Sequence, residues 1–214
     1  MDLRYKETFE TWNKLAALYQ EKFIHLDLYN DTYDFFCNLM TNQNATILEI
    51  GCGPGNISKY LLSKRPDLKI FGIDIAPNMI ALARENNPDA TFEIMDCRNI
   101  DHIQMKYDGI IAGFCLPYLS HIDSQKFIYD TYHLLNENGI IYLSFVECDP
   151  GKSDFQASSS GDRAYFYFYH LVDLTSQLKR NNFDQIKVFH VDYQKSNNQI
   201  ETHTVLIAKK KTTT

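Results

Sequence analysis

The stretch ILEIGCGPGN, residues 47–56, places three glycines at alternate positions directly after a short apolar run. The apolar run TILEI (46–50) is typical of a buried strand, and residues 57–62 predict a helix directly after the glycines. Glycine adopts positive φ without steric cost and lets a ligand lie against bare backbone. The free amides at the start of a helix favour anionic groups. The stretch therefore predicts a ligand site at the carboxyl edge of a sheet.

The rest of the chain alternates between strand-like and helix-like patterns. Further strand-like runs are LKIFGID (68–74), TFEIM (91–95), YDGIIAG (107–113) and GIIYLSFV (139–146). Apolar residues recur at helical spacing at 7–23, 33–40, 77–83, about 123–135 and about 171–181. Gly139 is interpreted as the left-handed stop of the helix before it. The alternation predicts a doubly wound α/β fold, with a mostly parallel sheet and helices on both faces.

The C-terminal region breaks this alternation. Two strand-like runs, FDQIKVFHVDY (183–193) and IETHTVLIAKK (200–210), flank the polar loop KSNNQ. They predict an antiparallel hairpin, which brings the sheet to seven strands. The segment ECDPGKSDFQASSSGDR (147–163) is irregular, and it predicts a surface excursion or a flexible lid.

Composition bounds the class of protein. A chain of 214 residues with 44% apolar and 22% charged residues predicts one domain over 1–214. The formal net charge of −6 argues against nucleic acid as a partner, because that binding depends on Lys and Arg. No apolar run approaches the roughly 20 residues that cross a bilayer, and MDLRYKETFE lacks the apolar core of a signal peptide. We expect a cytoplasmic monomer or homodimer with no membrane partner.

Five cysteines are scattered through the chain without a C-x-x-C pair. They are Cys37, Cys52, Cys97, Cys115 and Cys148. An odd and dispersed set argues against a disulfide framework and against a zinc site. We therefore expect free thiols in a reducing compartment and no bound metal.

An aspartate follows the glycines at the distance that nucleoside binding requires. Asp74 ends the second predicted strand, 19 positions past Gly55, where a carboxylate accepts both ribose hydroxyls. The dinucleotide fingerprint is G-x-G-x-x-G, but Asn56 stands where its third glycine would fall. The spacing therefore favours a nucleoside cofactor other than NAD(P).

With Glu49 two positions before Gly51, the motif reads E-x-G-x-G-x-G and resembles the first motif of the class I S-adenosylmethionine-dependent methyltransferases. Asp74 in GIDIAPNMI and Asp96 in FEIMDCRNI resemble the acids that follow the second and third strands of this family. The terminal hairpin also matches the family, and the resemblance extends from about residue 5 to 208. It implies S-adenosyl-L-methionine as the cofactor and methyl transfer by in-line displacement to a small-molecule acceptor.

The resemblance also implies roles for individual residues. Asp74 would bind the ribose hydroxyls, Asp96 the adenine amino group and Glu49 the ammonium of the cofactor. Phe114 would line the sulfonium end, and Tyr19 either covers the cofactor carboxylate or packs on a helix face. The full set of implied cofactor-binding residues is Glu49, Gly51, Cys52, Gly53, Gly55, Asp74, Ile75, Asp96, Cys97, Phe114, Cys115 and Tyr19.

Candidate catalytic bases lie near the same edge of the predicted sheet. They are His121, Tyr118 and His170, and packing or a position beside a helix start explains each of them as well. A base is needed only if the acceptor loses a proton. Leu116-Pro117-Tyr118 departs from the Asp/Asn-Pro-Pro-Tyr signature of methyltransferases that modify nucleic acid bases, so we do not expect that substrate class.

Acceptor recognition is expected from the N-terminal helices (about 5–42) and from residues 147–170, which together would form a lid. In AYFYFYHL (164–171), strand alternation would turn Tyr165, Tyr167 and Tyr169 to one side, either toward substrate or as edge packing. Two alternatives to methyl transfer stay open. One is an S-adenosylmethionine-binding regulatory or interaction module without turnover, and the other is an NAD(P)-dependent oxidoreductase.

Overall fold

The computed structural model describes residues 2–158, 161–195 and 198–212. Its helices are α1 (Leu3–Lys14), α2 (Ala16–Phe23), α3 (Asn30–Leu39), α4 (Asn56–Lys64), α5 (Pro77–Asn86), α6 (His121–Leu134) and α7 (Leu171–Arg180). Its strands are β1 (Thr46–Ile50), β2 (Lys69–Asp74), β3 (Thr91–Ile94), β4 (Tyr107–Ala112), β5 (Leu135–Val146), β6 (Asp154–Ala157), β7 (Arg163–Phe166), β8 (Phe183–Gln194) and β9 (Ile200–Lys210). None of these described helices is long and apolar enough to span a membrane.

Seven of the strands form one sheet in the order β3-β2-β1-β4-β5-β9-β8. Neighbours are parallel from β3 to β5, whereas β9 pairs antiparallel with both β5 and β8. The strand order reverses direction between β1 and β4, and open sheets of this kind bind ligands at that switch point. The predicted doubly wound fold with a C-terminal antiparallel hairpin is confirmed.

The central strands are buried on both faces. Ile47 of β1 belongs to an apolar layer that includes Phe36 of α3, and the neighbouring Leu48 belongs to an opposite layer that includes Phe127 of α6. Parallel strands covered by helices on both sides are apolar almost throughout. Glu49 is therefore exceptional, because its carboxyl group is fully buried in the middle of β1.

The N-terminal helical pattern forms two helices. They meet at Leu15, whose backbone leaves the helical region with ψ of 10°. The break lets each helix follow a different neighbour. Thr11 of α1 donates a hydrogen bond from Oγ1 to the carbonyl of Arg163 at 2.7 Å, while Ala16 of α2 packs against Met79 of α5. Side chains from both helices thereby reach the glycine-rich turn.

The predicted helix stop at Gly139 is wrong. Helix α6 ends at Leu134, and the chain enters β5 directly, with the left-handed conformation at Asn138 (φ 63°). Pairing of β5 with β4 shifts register between Leu135 and Ile140, so the residues between them bulge outward. A Cβ at Gly139 would lie 2.9 Å from the carbonyl oxygen of Asn136, so glycine is needed for close packing inside this bulge.

Residues 147–170, predicted as an irregular excursion or lid, contain a short antiparallel hairpin. Strands β6 and β7 pair from Asp154 with Phe166 to Ala157 with Arg163. The hairpin is held to α1, because the amide of Tyr165 donates to Thr8 Oγ1 at 2.8 Å. Residues 159 and 160 of the predicted lid, and residues 196 and 197 of the predicted loop KSNNQ, lie outside the described residues. A lid function for this segment stays a prediction.

Candidate active site

The glycine-rich turn between β1 and α4 is a left-handed loop anchored to β2. Gly51, Gly53 and Gly55 have φ of 69°, 52° and 77°. The amides of Gly51 and Cys52 both donate to the carbonyl of Ile73, at 2.8 and 3.0 Å. Residues other than glycine rarely adopt these backbone angles, so the three glycines are required for the path of the chain. The loop leaves bare backbone at the carboxyl edge of β1.

Asp74 supports this loop from the end of β2. Its Oδ2 accepts from the amide of Gly53 at 2.9 Å, and its Oδ1 accepts from the amide of Ala76 at 2.9 Å. Burial raises the pKa of Asp74 above its ordinary value. Each carboxylate oxygen has a second lone pair, so Asp74 can hold the loop and still accept hydrogen bonds from a ligand.

Glu49 lies beneath the loop with one oxygen unpartnered. Ser58 of α4 donates to its Oε2, whereas its buried Oε1 has no hydrogen-bond partner in the structure. Burial raises the pKa of Glu49 to about 8. An unpaired buried acceptor is costly, and a cationic ligand group placed beside it would both satisfy Oε1 and favour the ionised form.

A cavity of about 140 Å³ opens over the loop on the side of Asp74. Its walls come from α1 and α2 above and from the ends of β1, β2, β3 and β4 below. The implied cofactor-binding residues that line it are Tyr19, Gly51, Gly53, Asp74, Ile75, Asp96, Cys97, Phe114 and Cys115. Nine residues from five separate stretches of the sequence thus surround one space.

A second cavity of about 210 Å³ adjoins the first on the side of Glu49. The two share an aromatic partition in which the ring of Trp12 lies 5.6 Å from that of Tyr19 and 5.7 Å from that of Tyr118. Glu49 and Cys52 line the second cavity. Gly55 lines neither cavity and instead forms the N-cap of α4.

Comparison with known proteins identifies the domain. Residues 47–139 match a family model described as a methyltransferase domain. Putative methyltransferase 235L from Invertebrate iridescent virus 6 is 30% identical over 136 residues, which are 64% of this chain and 49% of that protein. Trans-aconitate 2-methyltransferase from Escherichia coli is 37% identical over 101 residues, which are 47% of this chain and 39% of that enzyme.

A solved structure of Burkholderia thailandensis 1,6-didemethyltoxoflavin-N1-methyltransferase has the same fold, with a TM-score of 0.72 at 16% identity over 97% of this chain and 88% of that one. That structure holds 1,6-didemethyltoxoflavin and S-adenosylhomocysteine. Residues 47–139 are therefore similar in sequence to a methyltransferase domain, and the chain as a whole shares the fold of a structure that binds S-adenosylhomocysteine. The chain spans less than half the length of the two curated relatives.

The fold brings one of the three candidate bases to the site. Tyr118 lines both cavities, and burial raises its pKa above the ordinary value. His121 is turned away, with Nε2 2.9 Å from the carbonyl oxygen of Phe168, and it lines neither cavity. His170 is exposed as the N-cap of α7 and also lies outside both. Placement therefore supports Tyr118 alone as a neighbour of the reacting groups.

The tyrosines of the 164–171 run pack against the protein interior. Tyr165 donates to the carbonyl of Ser153 at 3.0 Å, and Tyr169 donates to the carbonyl of Leu119. Phe166, on the other side of the alternating strand, lines the second cavity. The side of the strand that contains the phenylalanines thus reaches the site, and the side with the tyrosines does not.

Sequence reasoning missed a polar group on β9. Glu201 and His203 line the second cavity, together with Tyr29 and Tyr193. The sequence did contain a signal for this group, because Glu201 and His203 are two positions apart and so lie on the same face of a predicted strand. His203 also pairs with Val146, the last residue of β5, so it stands at the carboxyl edge of the parallel sheet.

The described residues form no metal cluster and no disulfide. Within the described ranges, no group of three or more His, Cys, Asp or Glu side chains is arranged to hold a metal ion. All five cysteines are free thiols, and burial raises the pKa of Cys37 to about 11.

Glu49 gives a pH-dependent prediction for stability. Because its pKa rises to about 8 on folding, the folded chain holds a proton that the unfolded chain has lost above about pH 4.5. Stability from this group is therefore present at low pH and is lost as pH rises toward about 8. We expect Glu49→Gln to gain stability relative to the wild type between about pH 5 and pH 8, by at most about 5 kcal/mol. Urea unfolding of both proteins at the two pH values measures this difference in the free energy of unfolding. An equal difference at both pH values would contradict the raised pKa of Glu49.

Proposed function

We propose that this chain transfers a methyl group from S-adenosyl-L-methionine to a small-molecule acceptor. The observation that carries the proposal is the pairing of a left-handed glycine loop, held by Asp74, with the buried and half-satisfied carboxyl of Glu49. Together they offer bare backbone, a ribose acceptor and an ammonium acceptor along one line. The cofactor, when bound, supplies a methyl group already activated by a cationic sulfur.

The residues fit the cofactor in order along the two cavities. Asp74 would accept from the ribose hydroxyls, and Ile75 beside it would pack on the adenine. Asp96 is already paired with Arg98, whose Nε lies 2.9 Å from Oδ1, but a carboxylate has further lone pairs for an adenine amino group. The backbone of Gly53 would lie against the methionine part, whose ammonium would reach Glu49.

The remaining task of the protein is positioning and exclusion of water. Alignment of reacting groups can be worth about 7–11 kcal/mol. Trp12, Tyr19 and Tyr118 form the partition between the cavities, and α1 and α2 carry the first two of these rings over the loop. This aromatic cover would shield the methyl group from water and leave the part of the second cavity near His203 for an acceptor.

A small acceptor is supported by the size of the second cavity, about 210 Å³, and by the relatives. The names of two compared enzymes specify trans-aconitate and 1,6-didemethyltoxoflavin, which are small molecules. The net charge of −6 gives no attraction for nucleic acid. The proposal therefore places a metabolite-sized acceptor in the second cavity.

Calorimetry separates this function from its alternatives. The full chain is titrated with S-adenosylmethionine, S-adenosylhomocysteine, NAD⁺ and NADP⁺. We expect saturable binding of the first two and none of the nicotinamide cofactors. Release of S-adenosylhomocysteine on incubation with metabolite pools would then establish turnover. Binding of NAD⁺ in preference would support an oxidoreductase, and tight S-adenosylmethionine binding without release of product from any pool would support a binding module.

A further inference from the structure

A hydrogen-bonded chain of three polar side chains ends at the second cavity. His203 Nε2 lies 3.0 Å from Glu201 Oε1, and His203 Nδ1 lies 2.6 Å from the hydroxyl oxygen of Tyr29. Tyr29 and His203 are 6% and 7% exposed, so their hydrogen bond is shielded from solvent, whereas the Glu201 side chain is 26% exposed. None of these residues belongs to the glycine loop or to its supporting acids. The group therefore requires its own explanation.

The charges around the histidine fix the direction of its hydrogen bonds. Lys195 also pairs with Glu201, and the hydrogen bond from His203 together with this lysine lowers the pKa of the Glu201 carboxyl. An ionised carboxylate only accepts, so the Nε2 side of His203 donates to it. Nδ1 is then the acceptor, and the hydroxyl of Tyr29 donates to it. Burial raises the pKa of Tyr29, which keeps that proton on the phenol at neutral pH.

Three aromatic rings surround the imidazole of His203. The rings of Tyr29 and Tyr193 stack against it with interplanar angles of 7° and 13°. The ring of Phe114 meets it edge-on at 4.7 Å. Phe114 lines both cavities, and under the proposed function it lies at the sulfonium end of the cofactor. The relay is therefore next to the place where the methyl group would be transferred.

The lining of the second cavity selects the chemistry of the acceptor. The described residues that line it include two carboxylic acids, Glu49 and Glu201, and no lysine or arginine. Most of the other lining side chains are aromatic. A carboxylate would find no lysine or arginine in this lining to offset its desolvation. A flat, uncharged ring would stack against the walls.

We propose that the second cavity binds a neutral aromatic acceptor bearing a hydroxyl or ring N–H, and that Tyr29, His203 and Glu201 relay its proton. The inference rests on the proposed function. The lone pair of the acceptor forms the bond to the methyl carbon, and the pair of the broken carbon–sulfur bond stays on sulfur. The acceptor proton passes to the oxygen of Tyr29 while the phenolic proton of Tyr29 passes to His203 Nδ1. The Glu201 carboxylate stabilises the resulting imidazolium, which releases the proton to solvent after product leaves.

The class of acceptor is tested through Trp12, the single tryptophan of the chain, which lines both cavities. With S-adenosylhomocysteine saturating, the protein is titrated with phenol, catechol and benzimidazole, and with benzoate as the carboxylate control. We expect the neutral compounds to change Trp12 fluorescence and to be methylated when S-adenosylmethionine replaces the product. Binding or methylation of benzoate in preference, or binding of none of the neutral compounds, would overturn the assignment.

The relay is tested with His203→Gln, matched by His190→Gln on the neighbouring strand β8, where the side chain is exposed and outside the cavity. We expect His203→Gln to lower turnover of the neutral acceptors about 100-fold, at the low end of general base catalysis, with S-adenosylhomocysteine affinity unchanged. His190→Gln should match the wild type in both. Equal turnover by His203→Gln would overturn the relay. If the wild type itself does not bind S-adenosylhomocysteine, the result rejects the proposed function instead.

Glu201→Gln provides a second variant that keeps the shape of the side chain. As a positioning residue, Glu201 is expected to control the imidazole tautomer. Nitrogen NMR of the wild type should show His203 protonated at Nε2 and free at Nδ1, and the Gln variant should lose this preference along with turnover. An unchanged tautomer in a variant of normal activity would also overturn the relay.

Discussion

Gly53→Val is expected to abolish binding of S-adenosylmethionine, with an affinity loss of at least about 100-fold. Gly53 has φ of 52°, a conformation in which a β-branched residue is strained by about 1–3 kcal/mol. A Cβ there would project toward Tyr19, whose Cε1 lies 3.7 Å away across the mouth of the cavity. The methyl groups of valine would therefore fill the space that the methionine part of the cofactor needs. Calorimetry with S-adenosylhomocysteine measures the loss.

Gly161→Val separates strain from obstruction of the site. Gly161 also has a left-handed φ, 84°, but no atom of the described residues lies within 4 Å of a Cβ built there. This variant should bear a similar backbone cost and bind cofactor normally. If Gly53→Val folds and binds S-adenosylhomocysteine with nearly the original affinity, the glycine loop is a structural turn and the cofactor site lies elsewhere.

Asp74→Ala is expected to weaken cofactor binding by about 10-fold to 150-fold. Hydrogen bonds to a charged group contribute about 1.5–3 kcal/mol each, and the substitution removes the acceptor proposed for the ribose hydroxyls. The structure adds a second effect, because the amides of Gly53 and Ala76 also lose their partner. Some loss of stability should therefore accompany the loss of binding. Urea unfolding and calorimetry on the same preparation measure the two effects.

Asp67→Ala is the matched control for this change. Asp67 also accepts from a backbone amide, that of Asn44 at 2.9 Å, but it lies outside both cavities and pairs with Arg65. It should lose stability without losing affinity for the cofactor. An Asp74→Ala protein that is destabilised like Asp67→Ala and still binds with full affinity would leave Asp74 with a purely structural role.

Local sequence patterns are enough to predict the cofactor-binding turn and most of the sheet. The glycine spacing, the apolar run before it and the position of Asp74 all lie within about 30 residues, and one β-α-β unit imposes their geometry. Strand periodicity likewise predicts the seven strands and the antiparallel ending. The wrong helix stop at Gly139 had a local cause too, since Asn138 tolerates the left-handed conformation and leaves glycine to serve a tight bulge.

The set of side chains that share a cavity depends instead on long-range packing. Tyr29 and His203 are 174 positions apart. Their hydrogen bond exists because the start of α3 lies beside β9, the strand that pairs antiparallel with β5. His121 had an equally suggestive position in sequence, yet its ring turns to the carbonyl of Phe168. Strand or helix periodicity gives the face on which a side chain lies, but its partner across the fold is set by how distant elements pack. The cofactor-binding turn is therefore encoded locally, whereas the acceptor cavity exists only once the sheet and the helices have assembled.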